Sequence, residues 1–183
     1  MKLNLANRIT LVRVILVPIF MAVLLIKEIP YNNYIALGIF AIASITDKID
    51  GYVARSMNQI TNFGKFMDPI ADKLLVVSAL LCLVENHSIQ SWVAMIIISR
   101  EFIVSGIRLV AAAEGIVIAA GKLGKLKTVF QMVAIIAILL NNFPFTYLGG
   151  VPVDKILLFI AVILTVVSGV EYIIKNKHVL NVS

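Results

Sequence analysis

Four aspartates are the residues of this sequence best placed to do chemistry. Asp47 and Asp50 lie three positions apart and Asp68 and Asp72 four apart, and on an α-helix either spacing puts both side chains on one face. About a dozen residues connect the two segments, enough to return the second as an antiparallel neighbour of the first. Four carboxylates then converge on one point. Left alone they would repel one another and take up protons, and hard divalent cations with oxygen ligands are the natural remedy. Two such ions about 4 Å apart form the arrangement that clamps a phosphoryl group in transfer. The neighbouring residues suit a phosphate. Gly51 and Ala54 allow a ligand or helix to approach closely. Arg55 and Lys65 supply positive charge, and Gly64 precedes the second acidic segment at its partly positive N-terminal end. Asp68-Pro69 reads as the opening turn of that helix, where proline is tolerated. Pairing with Lys48, Lys73 or Arg55 accounts for any one of these acids but poorly for all four together.

The elements that must position the acids belong to a membrane. The chain has 183 residues, 61% hydrophobic and 14% charged, whereas an ordinary soluble domain carries about 25% charge. A mean hydropathy of +1.01 argues against a water-soluble enzyme. Segments near the length of about 20 residues needed to cross a bilayer are expected at 8–27, 32–54, 66–85, 89–113, 125–142 and 154–174. They use nearly the whole chain. The expected fold is therefore all-α, a single polytopic membrane domain over residues 1–183 built as a six-transmembrane-helix bundle. In the fifth segment the breakers Asn141, Asn142, Pro144, Gly149 and Gly150 should end the helix near residue 141.

Charge sets the orientation. Of the sixteen Lys and Arg, thirteen cluster at one side of these segments, Lys27 and Lys155 fall on the other, and Arg100 lies mid-segment. The positive-inside rule then puts both termini, and the acids, at the cytoplasmic edge. Lys2, Arg8 and Arg13 ahead of an apolar run imitate a signal peptide, but Lys27-Glu28-Ile29-Pro30 offers no small-residue cleavage site, so the segment is expected to be retained. The net charge of +6 is dispersed between apolar segments, which argues against nucleic-acid binding. Cys82, the single cysteine, excludes an internal disulfide and reads as a small packed residue. His87 and His178 have no partner at ligand spacing and read as surface residues. Trp92 and Tyr31 suit an aromatic belt.

Asp47-x2-Asp50-Gly51-x2-Ala54-Arg55-x8-Gly64-x3-Asp68-x3-Asp72 resembles the complete signature of the CDP-alcohol phosphotransferase family of integral membrane enzymes, with every fixed position present. The likeness extends to Asn7-Arg8-Ile9-Thr10-Leu11-x-Arg13, to Ser99-Arg100-Glu101-Phe102 with Gly106-Ile107-Arg108, and to Gly121-Lys122-Leu123-Gly124-Lys125-Leu126-Lys127-Thr128. These stretches resemble the bacterial glycerol-phosphate branch of the family, which often carries alanine where this chain has Ser99.

The resemblance implies transfer of a phosphatidyl group from CDP-diacylglycerol to sn-glycerol 3-phosphate with release of CMP, in a bacterial plasma membrane. It implies two divalent cations, Mg2+ or Mn2+, held by Asp47, Asp50 and Asp68, with Asp72 as general base and a contributor to the second metal. Gly51, Ala54, Arg55, Gly64 and Lys65 would line the CDP-diacylglycerol site, with Asn7, Thr10 and Arg13 as weaker candidates. Asn7 serves equally well as a cap on the first helix. A phosphorylated acceptor needs further cations, expected to be Arg108, Lys125 and Lys127, while Lys122 reads as a positive-inside residue. Arg100 and Glu101 lie deeper and are expected to pair with each other or with neighbours. A homodimer is expected from the family alone. Inositol phosphate, serine and phosphatidylglycerol are the rival acceptors. A divalent-cation transporter is the rival of another class, and it fits poorly because the acids lie at a membrane edge and transporter sites lie near the midplane.

Overall fold

The computed structural model of the chain describes residues 5–56, 62–119, 121–147 and 149–177, with side chains described at 10–46, 70–71, 73–119, 121–147 and 149–177. Those residues hold six α-helices and no strand: α1 Leu5–Leu25, α2 Asn32–Ser56, α3 Asn62–Glu85, α4 Ser91–Ala113, α5 Lys122–Leu139 and α6 Val153–Lys175. Each matches an expected segment to within a few residues. The largest difference is in α3, which begins at Asn62 rather than near residue 66. Pro69 therefore falls two turns into the helix instead of in its first turn, where it costs the bond to the carbonyl four residues earlier. The chain divides into two compact units, residues 1–88 and 89–183.

In the first unit α1 packs along both α2 and α3. Its buried residues are Thr10, Arg13, Val17, Phe20 and Leu24, at gaps of three and four that keep them on one helical face. Ala36, Phe40 and Ala43 form the buried series on α2, and Ala71, Leu75, Ala79 and Cys82 that on α3. Alanine at four of these places lets the helix backbones approach closely. The Phe20 and Phe40 rings fill the remaining space, with centroids 5.9 Å apart and planes tilted by 43°. The last carbonyls of a helix lack partners of their own. At the end of α1 the Leu24 carbonyl accepts from the side-chain amides of Asn32 and Asn86, each at 3.3 Å, which ties the start of α2 and the exit from α3 to α1.

In the second unit α6 packs against α5 and α4. Its buried face runs through Ala161, Val162, Thr165, Ser168, Gly169 and Tyr172. On α5 the facing series is Lys127, Gln131, Ala134, Ile135, Ile138 and Leu139. Gly115 ends α4 at a φ of +76°, a conformation glycine adopts without strain, and the Ile116 N–H then reaches the Ala111 carbonyl at 2.8 Å. α5 stops at Leu139, where the breaker cluster was expected to stop it. Asn142 bridges the gap that follows: its amide donates to the Val151 carbonyl at 2.8 Å, and its Oδ1 accepts the Asp154 N–H at 3.2 Å.

The outward faces are apolar. Val12 and Ile15 on α1, Ile42 and Ile45 on α2, Phe102 and Leu109 on α4, Val129 on α5 and Phe159 on α6 are all exposed. Among the described residues α6 is the one helix long and apolar enough by itself to cross a membrane, and the apolar runs Thr10–Leu25 and Asn32–Thr46 are shorter. Each unit also changes character along its helices. In the first, buried Thr10 and Arg13 give way to Phe20 and Leu24 along α1; in the second, buried Lys127 and Gln131 give way to Ile138 and Leu139 along α5.

Candidate active site

The backbone of the first unit accounts for the spacing of the acids. The buried series on α2, Ala36, Phe40 and Ala43, continues at the same three-four rhythm to positions 47, 50 and 54. On α3, counting back from Ala79 and Leu75 gives 72, 68 and 64. Helical backbone thus runs through positions 47, 50 and 54 on α2 and 64, 68 and 72 on α3. Their side chains, with those of Asn7, Gly51, Arg55 and Lys65, lie outside the described residues. Among the described residues no three His, Cys, Asp or Glu side chains gather as a metal site. The α1 candidates are described: Thr10 and Arg13 are each 1% exposed, and both have polar partners. A guanidinium so buried keeps its charge only when compensated, so Arg13 belongs to the polar end of this unit rather than to its surface.

The second unit treats its cations unequally. Arg108 and Lys125 are exposed, whereas Lys127 is 1% exposed and forms an ion pair with Glu101. Glu101 also takes Arg100, Nη1 to Oε1 at 3.3 Å, and Arg100 Nη2 donates to the Ser168 hydroxyl at 3.2 Å. The pairing expected of Arg100 and Glu101 is present, and it joins α4, α5 and α6. Two glycines make room for it. A Cβ on Gly124 would lie 3.2 Å from Arg100 Nη2, and one on Gly169 would lie 3.1 Å from Arg100 Cγ. Arg100 Nε is buried and makes no hydrogen bond. A cleft of about 150 Å³ opens beside it, lined also by Gly121, Ser168, Tyr172 and Lys175.

Tyr172, Ser168 and Gly169 were not singled out by sequence reasoning, and Gly124 entered only as part of the stretch from Gly121 to Thr128. A signal existed for the α6 residues, because Thr165, Ser168 and Tyr172 repeat at three and four, the first two inside the otherwise apolar run from Ile156 to Val170. Arg108 Nε donates to the Tyr172 hydroxyl at 3.2 Å, and the guanidinium carbon lies 5.5 Å from the ring centroid.

Comparison with known proteins agrees with this arrangement of motifs. Residues 3–167 match the family model described as CDP-alcohol phosphatidyltransferase. A CDP-diacylglycerol–glycerol-3-phosphate 3-phosphatidyltransferase of Bacillus subtilis is 48% identical, with 98% of each chain covered. Proteins of the same name from Haemophilus influenzae and Rickettsia typhi are 40% and 37% identical, covering 94% and 92% of this chain and 93% and 94% of their own. The match spans both compact units and includes the acid-bearing helices, and the chain belongs to the CDP-alcohol phosphatidyltransferase family.

Proposed function

We propose that the chain transfers the phosphatidyl group of CDP-diacylglycerol to sn-glycerol 3-phosphate, giving phosphatidylglycerophosphate and CMP. The observation that carries this reading is the Bacillus subtilis relative named for that reaction, similar over 98% of both chains.

The donor set fits its metals. Four carboxylates offer only oxygen ligands, which suits hard Mg2+ or Mn2+ and not a thiolate-seeking ion. Asp47, Asp50 and Asp68 would hold two such ions, with Asp72 contributing to the second. When bound, the ions neutralise the pyrophosphate and stabilise the leaving CMP. Gly51, Ala54 and Gly64 keep side-chain bulk away from the nucleotide, Arg55 and Lys65 offset phosphate charge, and Asn7 and Thr10 contribute from α1. Asp72 takes the proton of the acceptor hydroxyl. As that oxygen bonds to the phosphorus of the phosphatidyl group, the bond from this phosphorus to the CMP oxygen breaks and its electron pair leaves with CMP. Arg108 and Lys125 hold the acceptor phosphate, arginine by paired hydrogen bonds and lysine as a point charge. Lys127 and Arg100 share the single carboxylate of Glu101, which leaves one net positive charge in that cluster.

The same reading sets the chain in a bacterial plasma membrane as six spans, with both termini and the acids at the cytoplasmic side, working as a homodimer. The apolar outward faces and the one-sided distribution of Lys and Arg support the spans. The acyl chains stay in lipid while the head group enters. Purified protein given CDP-diacylglycerol in detergent micelles should release labelled CMP with sn-glycerol 3-phosphate, and not with inositol phosphate, serine or phosphatidylglycerol. Release supported by one of the other acceptors instead would remove the acceptor assignment and leave the family intact.

A further inference from the structure

Tyr172 is engaged at both ends. Its ring is 7% exposed and packs in a buried cluster with Val104 and Ile107, which Ile118 joins, so α4's own apolar face holds it in place. Its hydroxyl and ring face receive the Arg108 side chain, by the 3.2 Å hydrogen bond from Nε and the 5.5 Å approach of the guanidinium to the ring centroid. An exposed arginine otherwise loses considerable rotamer freedom when it grips an anion. Here that freedom is already spent against a fixed ring. With Nε engaged by the tyrosine, the two terminal nitrogens are left as the edge that presents paired donors to a phosphate.

We propose that Tyr172 is a positioning residue for the acceptor: it fixes the Arg108 guanidinium in the orientation in which its terminal nitrogens receive the phosphate monoester. This rests on the reading of Arg108 as an acceptor-phosphate ligand. Tyr172 touches no reacting atom, so its effect falls on acceptor binding and leaves the donor untouched. Losing one hydrogen bond that orients the guanidinium without itself touching the acceptor should weaken acceptor binding roughly two- to ten-fold.

The test measures KM for sn-glycerol 3-phosphate and for CDP-diacylglycerol separately in the full-length protein and in Tyr172→Phe, Arg108→Ala and the double variant. Tyr172→Phe should raise the acceptor KM by about that factor and leave the donor KM unchanged. In the Arg108→Ala background it should add nothing, because the residue it orients is gone. A raised acceptor KM in Arg108→Ala with Tyr172→Phe behaving as wild type overturns this proposal alone. Equal rises in both KM values for Tyr172→Phe, or independent multiplying effects in the double variant, mark a general structural role and overturn it too. An unchanged acceptor KM in Arg108→Ala overturns the acceptor reading itself, and this inference with it.

Discussion

Among the aspartates the chemical division of labour can be separated residue by residue. A carboxylate that only holds metal and one that also takes a proton differ in what their amides leave behind. Asp50→Asn should abolish both CDP-diacylglycerol binding and turnover. Asp72→Asn should lower kcat by orders of magnitude and leave substantial donor binding, because in the proposed site three carboxylates would still hold metal. Equilibrium binding of the donor alongside single-turnover CMP release distinguishes the two, and equal loss of binding would make Asp72 a ligand first. The cations divide similarly. Losing a charge-assisted hydrogen bond to phosphate costs about 1.5–3 kcal/mol, roughly ten- to a hundred-fold in affinity. Arg108→Ala and Lys125→Ala should raise the acceptor KM by such a factor. Lys177→Ala, an exposed residue beyond α6, should leave both substrate constants as they are.

The helices of the second unit are held together by charge as well as by apolar contact. Glu101 stands between Arg100 and the fully buried Lys127, and removing one partner of a buried pair strands the other, at about 3–5 kcal/mol. Glu101→Ala should therefore destabilise the protein by an amount of that order, read as a lower unfolding midpoint in detergent. Glu101→Gln combined with Lys127→Met should recover part of the loss, because no buried lysine charge is then stranded, while Arg100 still loses its carboxylate. Gly169 belongs to the same device. Replacing an ordinary helical glycine by alanine gains up to about 1 kcal/mol of helix propensity, but a Cβ there would meet Arg100 Cγ at 3.1 Å. That atom sits near the root of a side chain whose tip is tied to Ser168 and Glu101, so it yields little. Overpacking of this kind costs about 1–3 kcal/mol, and Gly169→Ala should lower the same midpoint.

At the scale of the whole molecule the decisive property is the solvent. A soluble protein exposing Val12, Ile15, Ile42, Phe102, Leu109 and Phe159 together would aggregate, and in lipid those faces need no cover. Topology follows from where the charges stop. In a Cys82→Ser background, a single cysteine at Lys177 should react with a membrane-impermeant thiol reagent only after the cytoplasmic side is opened, whereas one at His87 should react in intact cells. Labelling of both from the same side would remove the six-span arrangement. The measurement suits this chain because its one native thiol, Cys82, is buried.

Apolar runs and their breakers were enough to place the six helices, because a helix in this setting is decided by local composition and length. The spacing of the acids was legible for the same reason: gaps of three and four survive translation into any helix, and positions 47, 50, 68 and 72 do lie on α2 and α3. What a linear pattern does not contain is the rotation of each helix about its axis relative to its neighbours. Lys125 and Lys127, two positions apart at the start of α5, looked equivalent. Packing against α6 and the ion pair with Glu101 of α4 left one outward and buried the other. The same rotation brought Tyr172 under Arg108 and set Gly124 and Gly169 around Arg100, contacts between residues more than twenty positions apart. Such pairings depend on how whole helical faces fit together, and only the tertiary structure decides that fit.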